Sequence, residues 1–196
     1  MGYSADFAFG RYNLANLYTA LNRPEEAIQN YRTAIKIDNL FYPAKVNLAM
    51  LYNQRGENDK AEVLLREVTA EHPQMHEIAY SLGLLLSEMK KYDQAAIYLG
   101  KASKGMPERD RIHYNLGLLL EYLRRDAEAE AALLKALKMD AESMDYLYAL
   151  ADHYMKREKL QKAKIIAEQM VAKHPGQRIG HELLKIIKRN LIKEIK

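Results

Sequence analysis

The sequence predicts an all-α solenoid built from stacked helix-turn-helix repeats. A leucine followed by alanine or glycine returns at one constant interval, at Leu14-Ala15, Leu48-Ala49, Leu82-Gly83, Leu116-Gly117 and Leu150-Ala151. An alanine follows each pair at a constant distance, at Ala27, Ala61, Ala95, Ala129 and Ala163. A fixed period of about 34 residues, with small residues at close helix crossings, is typical of repeats that each pack on their neighbours.

Each repeat contains two apolar stripes at helical spacing. In the second repeat one stripe runs from Leu48 to Tyr52 and the other from Ala61 to Val68, so that each covers one face of a helix. A short polar segment separates the stripes. Gly56 is expected to end the first helix in a left-handed conformation, and Asn58 is expected to cap the second helix.

These motifs resemble the tetratricopeptide repeat family, whose units are helix-turn-helix pairs that line up in register. The resemblance implies a right-handed superhelix and one domain over residues 1–196. Its five units are 8–41, 42–75, 76–109, 110–143 and 144–177. Residues 178–196 are predicted to form one further capping helix, because a solenoid needs an element that covers its last apolar face.

No pattern of catalytic or metal-binding residues stands out in the sequence. The chain has no cysteine, which excludes disulfides and cysteine-ligated metals. His72 and His76 have the spacing of two ligands on one helix, but Pro73 lies between them at a predicted turn between repeats. We therefore expect a protein that is not an enzyme and that needs no cofactor or metal.

The resemblance also implies a binding surface, because the first helix of each unit lines a concave groove in this family. The residue before each regularly spaced leucine is expected to point into that groove, and these residues are Asn13, Asn47, Ser81, Asn115 and Ala149. An asparagine side chain both donates and accepts, so a ladder of them suits the backbone of an extended peptide. The pattern resembles the asparagine ladder of the O-GlcNAc transferase repeat domain. The alternative is that asparagine is simply tolerated on an exposed face.

Tyrosines occupy the preceding position in four of the five repeats. Such rings offer flat apolar area with a polar tip, as binding surfaces commonly do, although packing against a second helix is an alternative. The groove residues predicted in addition to the asparagine and serine positions above are Tyr12, Asn16, Tyr80, Tyr114, Tyr148 and Asp152. We expect them to bind a peptide or helical segment of a partner protein.

Several other partners are disfavoured. The clamp with which some family members grip a chaperone's carboxylate tail needs cations at positions that carry Tyr12, Glu77 and Ser81 here. The terminal helix is basic but lacks the interleaved aromatic residues of single-strand binding, so no nucleic acid is expected. No apolar run approaches the length that a helix needs to cross a membrane, so membrane insertion is not expected.

Two alternatives to a peptide-binding scaffold stay open. Isoleucines spread widely around the terminal helix, so the repeats could self-associate as a homo-oligomer through this helix. The chain could also be the recruiting or regulatory region of a larger enzyme or of a bacterial cell-envelope protein of the cytochrome type. A cysteine-free chain suits the cytoplasm and the periplasm equally.

Overall fold

The computed structural model describes the backbone of residues 2–194 and the side chains of residues 7–193. Within these residues the chain forms eleven α-helices and no strand, which confirms the predicted all-α class. The helices are α1 (Gly2–Ala20), α2 (Pro24–Ile37), α3 (Tyr42–Gln54), α4 (Asn58–Glu71), α5 (His76–Glu88), α6 (Tyr92–Gly105), α7 (Asp110–Tyr122), α8 (Asp126–Met139), α9 (Met144–Lys156), α10 (Leu160–Lys173) and α11 (Arg178–Glu194).

Consecutive helix pairs follow the predicted repeats, with odd-numbered helices first and even-numbered helices second. Helix α1 begins at Gly2, earlier than the expected first unit at residue 8. The chain divides into two compact units, residues 1–101 and residues 102–196, with the division inside α6. The expectation of a single domain over residues 1–196 stays a prediction.

The core of the first unit is built from the small and large residues that the repeat pattern singles out. Leu48, Ala49 and Tyr52 of α3 are buried together with Ala61 and Val68 of α4. Glycine serves at one crossing where alanine would not fit. A Cβ atom on Gly83 would lie 2.8 Å from the side chain of Leu99 and 3.0 Å from its backbone nitrogen. The repeat pattern therefore sets how closely α5 and α6 approach.

The core of the second unit is a cluster shared by α8, α9, α10 and α11. Leu133, Leu147, Leu150, Met170 and Ile187 are completely buried in it. Partly buried leucines of α11 pack on the same cluster, at Leu183, Leu184 and Leu191. Helix α11 thus covers the apolar face of the fifth repeat, as the sequence predicts.

The turn inside each repeat uses one left-handed residue at the same register position. These residues are Asn22, Gly56, Lys90, Arg124 and Glu158, with φ between 54° and 74°. The expectation for Gly56 is confirmed. The expectation that Asn58 caps α4 is wrong: Glu57 is the N-cap, it makes no side-chain cap bond, and Asn58 accepts a hydrogen bond from Asn53 Nδ2 at 3.1 Å.

Candidate partner-binding surface

In the first unit, α1 and α3 bring three of the predicted groove residues into one hydrogen-bonded group. Asn47 Nδ2 donates to Asn16 Oδ1 at 2.9 Å and to the Tyr12 hydroxyl at 3.3 Å. Tyr31 of α2 donates from its hydroxyl to the same Asn16 oxygen at 2.6 Å. The Tyr12 ring packs edge-on against Phe41, with centroids 5.4 Å apart. These contacts hold the side chains of Tyr12, Asn16 and Asn47 in a defined arrangement.

This arrangement determines what the two asparagines can still offer a ligand. Both amide hydrogens of Asn47 are used, so its Oδ1 is the atom left to accept a bond. Both lone pairs of Asn16 Oδ1 are used, so its Nδ2 is the atom left to donate. The pair therefore presents one donor and one acceptor, which complements the C=O and N–H groups of a peptide backbone.

A pocket of about 310 Å³ lies beside this pair, between α1 and α3. Its polar lining includes Asn16, Tyr31 and Asn47, and its apolar lining includes Met50 and Leu51. Met50 is 55% exposed, which is high for a methionine on a helix that packs on both sides. The surface of α1 and α3 around this pocket, which we call the first-helix surface of the first unit, combines backbone-type hydrogen bonding with apolar area.

The remaining predicted residues of the first unit lie on the same helices or on α5 but are less constrained. Asn13 and Ser81 are exposed, and Tyr80 is half-buried. The Ser81 hydroxyl donates to the carbonyl oxygen of Glu77 at 3.1 Å within its own helix. The structure therefore brings together Tyr12, Asn16 and Asn47, and it does not join Asn13 or Ser81 to that group.

In the second unit the predicted tyrosines separate into two roles. The ring of Tyr114 is half-buried and lies 4.9 Å from the ring of Tyr146, which donates from its hydroxyl to Asp110 at 2.9 Å. Burial and this hydrogen bond raise the pKa of Tyr146 to about 12. Tyr148 is 41% exposed, so its ring is available at the surface. Tyr146 belongs to the core, and the repeat period carried no signal for its contact with Tyr114.

The asparagine ladder is interrupted in the second unit. Asn115 is half-buried on α7, but Ala149 at the equivalent position of α9 is only 8% exposed and belongs to the apolar cluster. Ala149 is therefore a core residue, and its expected place in the groove is wrong. Burying a small side chain here brings α9 close to its neighbours, which a longer polar residue would prevent.

Asp152 lies in a charged network of α7 and α9. Its carboxylate is 2.6 Å from Lys156 Nζ, and Lys156 also approaches Glu121 of α7 at 3.8 Å. Glu121 accepts hydrogen bonds from the buried side chains of His153 and Arg157, each at 2.5 Å. Asp152 thus has a cationic partner inside the chain, and sequence reasoning missed the buried His153 because its partner comes from the preceding repeat.

The described residues hold no group of three or more histidine, cysteine, aspartate or glutamate side chains arranged to bind a metal ion. Among the same residues, no helix has both the length and the apolar character needed to cross a membrane.

Family models named tetratricopeptide repeat match residues 18–85 and, for a second model, residues 80–140 and 114–178. No curated protein matches the sequence significantly. Solved structures with a similar fold include YrrB, described as a TPR protein with an unusual peptide-binding site, at 20% identity and a TM-score of 0.80 over 91% of this chain and 92% of YrrB.

Two further structures, of MamA and PilF, also have a similar fold. MamA of Desulfovibrio magneticus RS-1 is 19% identical with a TM-score of 0.78, over 88% of this chain and 98% of that one. PilF of Pseudomonas aeruginosa is 23% identical with a TM-score of 0.72, over 94% of this chain and 86% of that one. At these identities the similarity shows the fold alone, and it agrees with the α-solenoid class predicted from the repeats.

Proposed function

Because the chain belongs to the tetratricopeptide repeat family, a family of protein–protein interaction modules, we propose that it is a non-enzymatic scaffold that binds a peptide or helical segment of a partner protein. The proposed binding surface lies on the first helices of the repeats, which are α1, α3 and α5 in the first unit and α7 and α9 in the second. One observation supports the proposal: Asn16 and Asn47 are hydrogen-bonded to each other beside a partly apolar pocket, an arrangement suited to offering a ligand one amide donor and one acceptor. The peptide-binding site in the name of YrrB is a parallel case on the same fold.

The pair matches the backbone of a ligand, and the pocket beside it matches a side chain. A pocket of about 310 Å³ accommodates one large apolar residue. Backbone hydrogen bonds give affinity with little regard for sequence, and a pocket for one side chain adds the selectivity. We therefore expect ligands that share one apolar anchor residue and vary elsewhere. In the second unit, Tyr114, Asn115, Tyr148 and Asp152 are the proposed contributors.

Selection of a random peptide library on the purified chain tests this proposal. The variant Met50→Asp places a charge on the apolar wall of the pocket, and it should lose the selected peptides because burying an unpaired carboxylate is costly. Ile97→Asp is the matched control, because Ile97 of α6 is 59% exposed and lies on a second helix. Peptides that bind both variants equally would place the binding surface elsewhere and contradict the proposal.

Met50 is a better position for this test than the asparagines, because the asparagine side chains hold the local structure together. Replacing Asn47 would remove its bonds to Tyr12 and Asn16, so a loss of binding could reflect local rearrangement. Met50 is largely exposed and its side chain has no hydrogen-bond donor. Circular dichroism of both variants should match that of the unaltered chain.

A second candidate function is self-association through α11. Ile187 on this helix is completely buried, but Ile179, Ile186 and Ile192 are 43%, 42% and 59% exposed. Ile195, which the sequence also places on this helix, lies outside the described residues. Exposed isoleucines that exceed what one packing face needs favour contact with a second apolar surface. The chain would then act as a structural repeat module.

A further inference from the structure

The first unit has a second pocket, of about 340 Å³, between the second helices of the first two repeats. We call it the first-junction pocket. Its polar groups come from Arg32 of α2, Tyr52 of α3 and Lys60 of α4. Its apolar wall includes Ile35, Val63 and Leu64. Val63 is 56% exposed, so part of this wall faces solvent. None of these residues lines the pocket beside Asn16 and Asn47, although both pockets use residues of α2 and α3.

The polar groups of the pocket are only partly satisfied within the described residues. Arg32 Nε donates to the Tyr52 hydroxyl at 3.0 Å, and the hydroxyl proton of Tyr52 goes to no described acceptor. Arg32 forms no ion pair with a described carboxylate. Glu25, on the same helix, is bound by Arg55 instead, with its Oε1 2.8 Å from Arg55 Nη1. The exposed guanidinium of Arg32 therefore has several donors without a described protein acceptor, and it lies beside a hydroxyl that can also donate.

Two later junctions between repeats show that a carboxylate binds the equivalent donors there. In the second unit, Glu130 of α8 accepts hydrogen bonds from Tyr154 at 3.0 Å, Lys162 at 2.9 Å and Lys159 at 2.7 Å. Tyr154 and Lys162 stand three repeat periods after Tyr52 and Lys60. The chain thus inserts its own carboxylate at this junction of consecutive repeats.

The second junction of the first unit uses the same device. Glu62, two periods before Glu130, accepts from Arg66 at 2.8 Å and from Lys91 at 2.5 Å. Arg66 is the repeat equivalent of Arg32. At both junctions, a carboxylate at one register position therefore neutralises cations from its own helix or from the following repeat.

At the first junction this register position carries Ile28, so no carboxylate is supplied there. Glu57 takes the position that Lys91 and Lys159 hold in the later repeats, and its carboxylate binds Lys60 and Arg55. Lys60 is therefore already neutralised. Because Ile28 supplies no carboxylate and Glu57 pairs with Lys60 and Arg55, no described carboxylate neutralises Arg32.

We propose that the first-junction pocket binds a carboxylate attached to an apolar group. Arg32 and the Tyr52 hydroxyl hold the carboxylate, in the way that Arg66 and Tyr154 hold Glu62 and Glu130. Ile35, Val63 and Leu64 contact the hydrocarbon part. The volume lies near the lower end for small-molecule pockets, which fits a short aliphatic acid or the C-terminal residue of a protein chain. This proposal does not depend on the peptide groove.

Titration of the full chain with hexanoate, followed by NMR, tests the proposal. Hexanoate should bind saturably and shift the resonances of the Arg32 guanidinium and the Tyr52 ring. Hexanol has the same hydrocarbon chain without the charge, and it should bind at least about tenfold more weakly because charged hydrogen bonds are the stronger ones. Equal binding of the acid and the alcohol, or no saturable binding at millimolar concentrations, would overturn the proposal.

Variants then assign the effect to this site. Arg32→Gln should weaken hexanoate binding by at least about tenfold. Lys36→Gln is the matched control, because Lys36 is exposed one turn later on α2 and does not line the pocket. Hexanoate binding that survives Arg32→Gln would contradict the assignment. Ile28→Glu restores the internal carboxylate and should exclude hexanoate; since Ile28 is buried, Arg32→Gln remains decisive if that variant fails to fold.

A last comparison separates the two sources of the same chemistry. N-acetyl-leucine carries the carboxylate of a peptide C terminus, and N-acetyl-leucinamide lacks it. Tighter binding of N-acetyl-leucine than of hexanoate would identify a C-terminal residue as the ligand, and the reverse order would identify a free organic acid. Binding of the amide as tight as that of N-acetyl-leucine would show that the carboxylate is not recognised.

Discussion

Glu130 shows how much one side chain can contribute between two repeats. Its carboxylate lies among Lys159, Lys162 and the Tyr154 hydroxyl, all from the following repeat, and its side chain is 17% exposed. Hydrogen bonds from the two lysines are the main reason that the pKa of Glu130 falls from 4.5 to about 2. Burial, together with the same contact, raises the pKa of Tyr154 to about 12. Charge pairing here stabilises the ionised carboxylate.

This shift predicts a loss of stability in acid. A carboxyl group whose pKa is lowered by folding stabilises the folded state above its unfolded pKa, and the effect disappears as the pH falls from 4.5 towards 2. Glu130→Gln should lower the free energy of unfolding at neutral pH by about 1–2 kcal/mol, less than the full shift implies because both lysines are half-exposed. Urea unfolding of both proteins across this pH range measures the difference.

Glu128→Gln is the control on the same helix. Glu128 pairs with Arg125 within one turn, and its side chain is 58% exposed. Solvent screens such a pair, so its removal should change the unfolding free energy much less. If Glu130→Gln and the unaltered chain lost stability in parallel over the same acid range, the stabilising role of Glu130 would be disproved.

At the scale of elements, the turns within repeats are closed by a left-handed residue that is glycine only once. Lys90, Arg124 and Glu158 adopt φ values of 61°, 59° and 57°. Left-handed conformation costs a residue with a Cβ atom about 1–2 kcal/mol relative to the right-handed helix. These three turns are therefore strained, whereas Gly56 meets the same requirement without that cost.

Arg124→Gly should consequently stabilise the chain. The relief of left-handed strain exceeds the extra flexibility that glycine gives the unfolded chain, so we expect a net gain of about 0.5–1 kcal/mol in the free energy of unfolding. Gly56→Ala should move it in the opposite direction, because it places a Cβ atom at φ 74°. Urea unfolding checks both variants, and a loss of stability in Arg124→Gly would show that the arginine contributes more than its strain.

Element positions followed from the sequence because each period repeats both helices and the turn between them. The pattern could not predict which side chains meet between repeats. Asn16 contacts Asn47, and Tyr114 contacts Tyr146, in both cases at a separation shorter than one full period. A side chain meets residues near, and not at, its equivalent on the next helix, because packed helices interleave their ridges. Searching only at the full period therefore selected Tyr148 and overlooked Tyr146.

At the scale of the molecule, charge and exposed apolar surface coincide at α11. The chain has a net charge of +4, and residues 178–196 carry six basic and two acidic residues, so residues 1–177 are balanced. The same helix exposes Ile186 and Ile192. Two copies that met through this helix would gain apolar contact but would bring like charges together. Added salt screens such repulsion over a distance of about 10 Å at 0.1 M.

Self-association through α11 therefore predicts a dimer that becomes more stable as salt is added. Sedimentation equilibrium should show a rising average mass with concentration, and the rise should steepen between low and high salt. Ile186→Lys combined with Ile192→Lys should restore the monomer, because it places further charge in the contact. The control is Ile97→Lys on α6, since Ile97 is 59% exposed and lies on another helix. A monomer at every concentration and salt level would eliminate self-association, and the exposed isoleucines would then be available to a partner of different sequence.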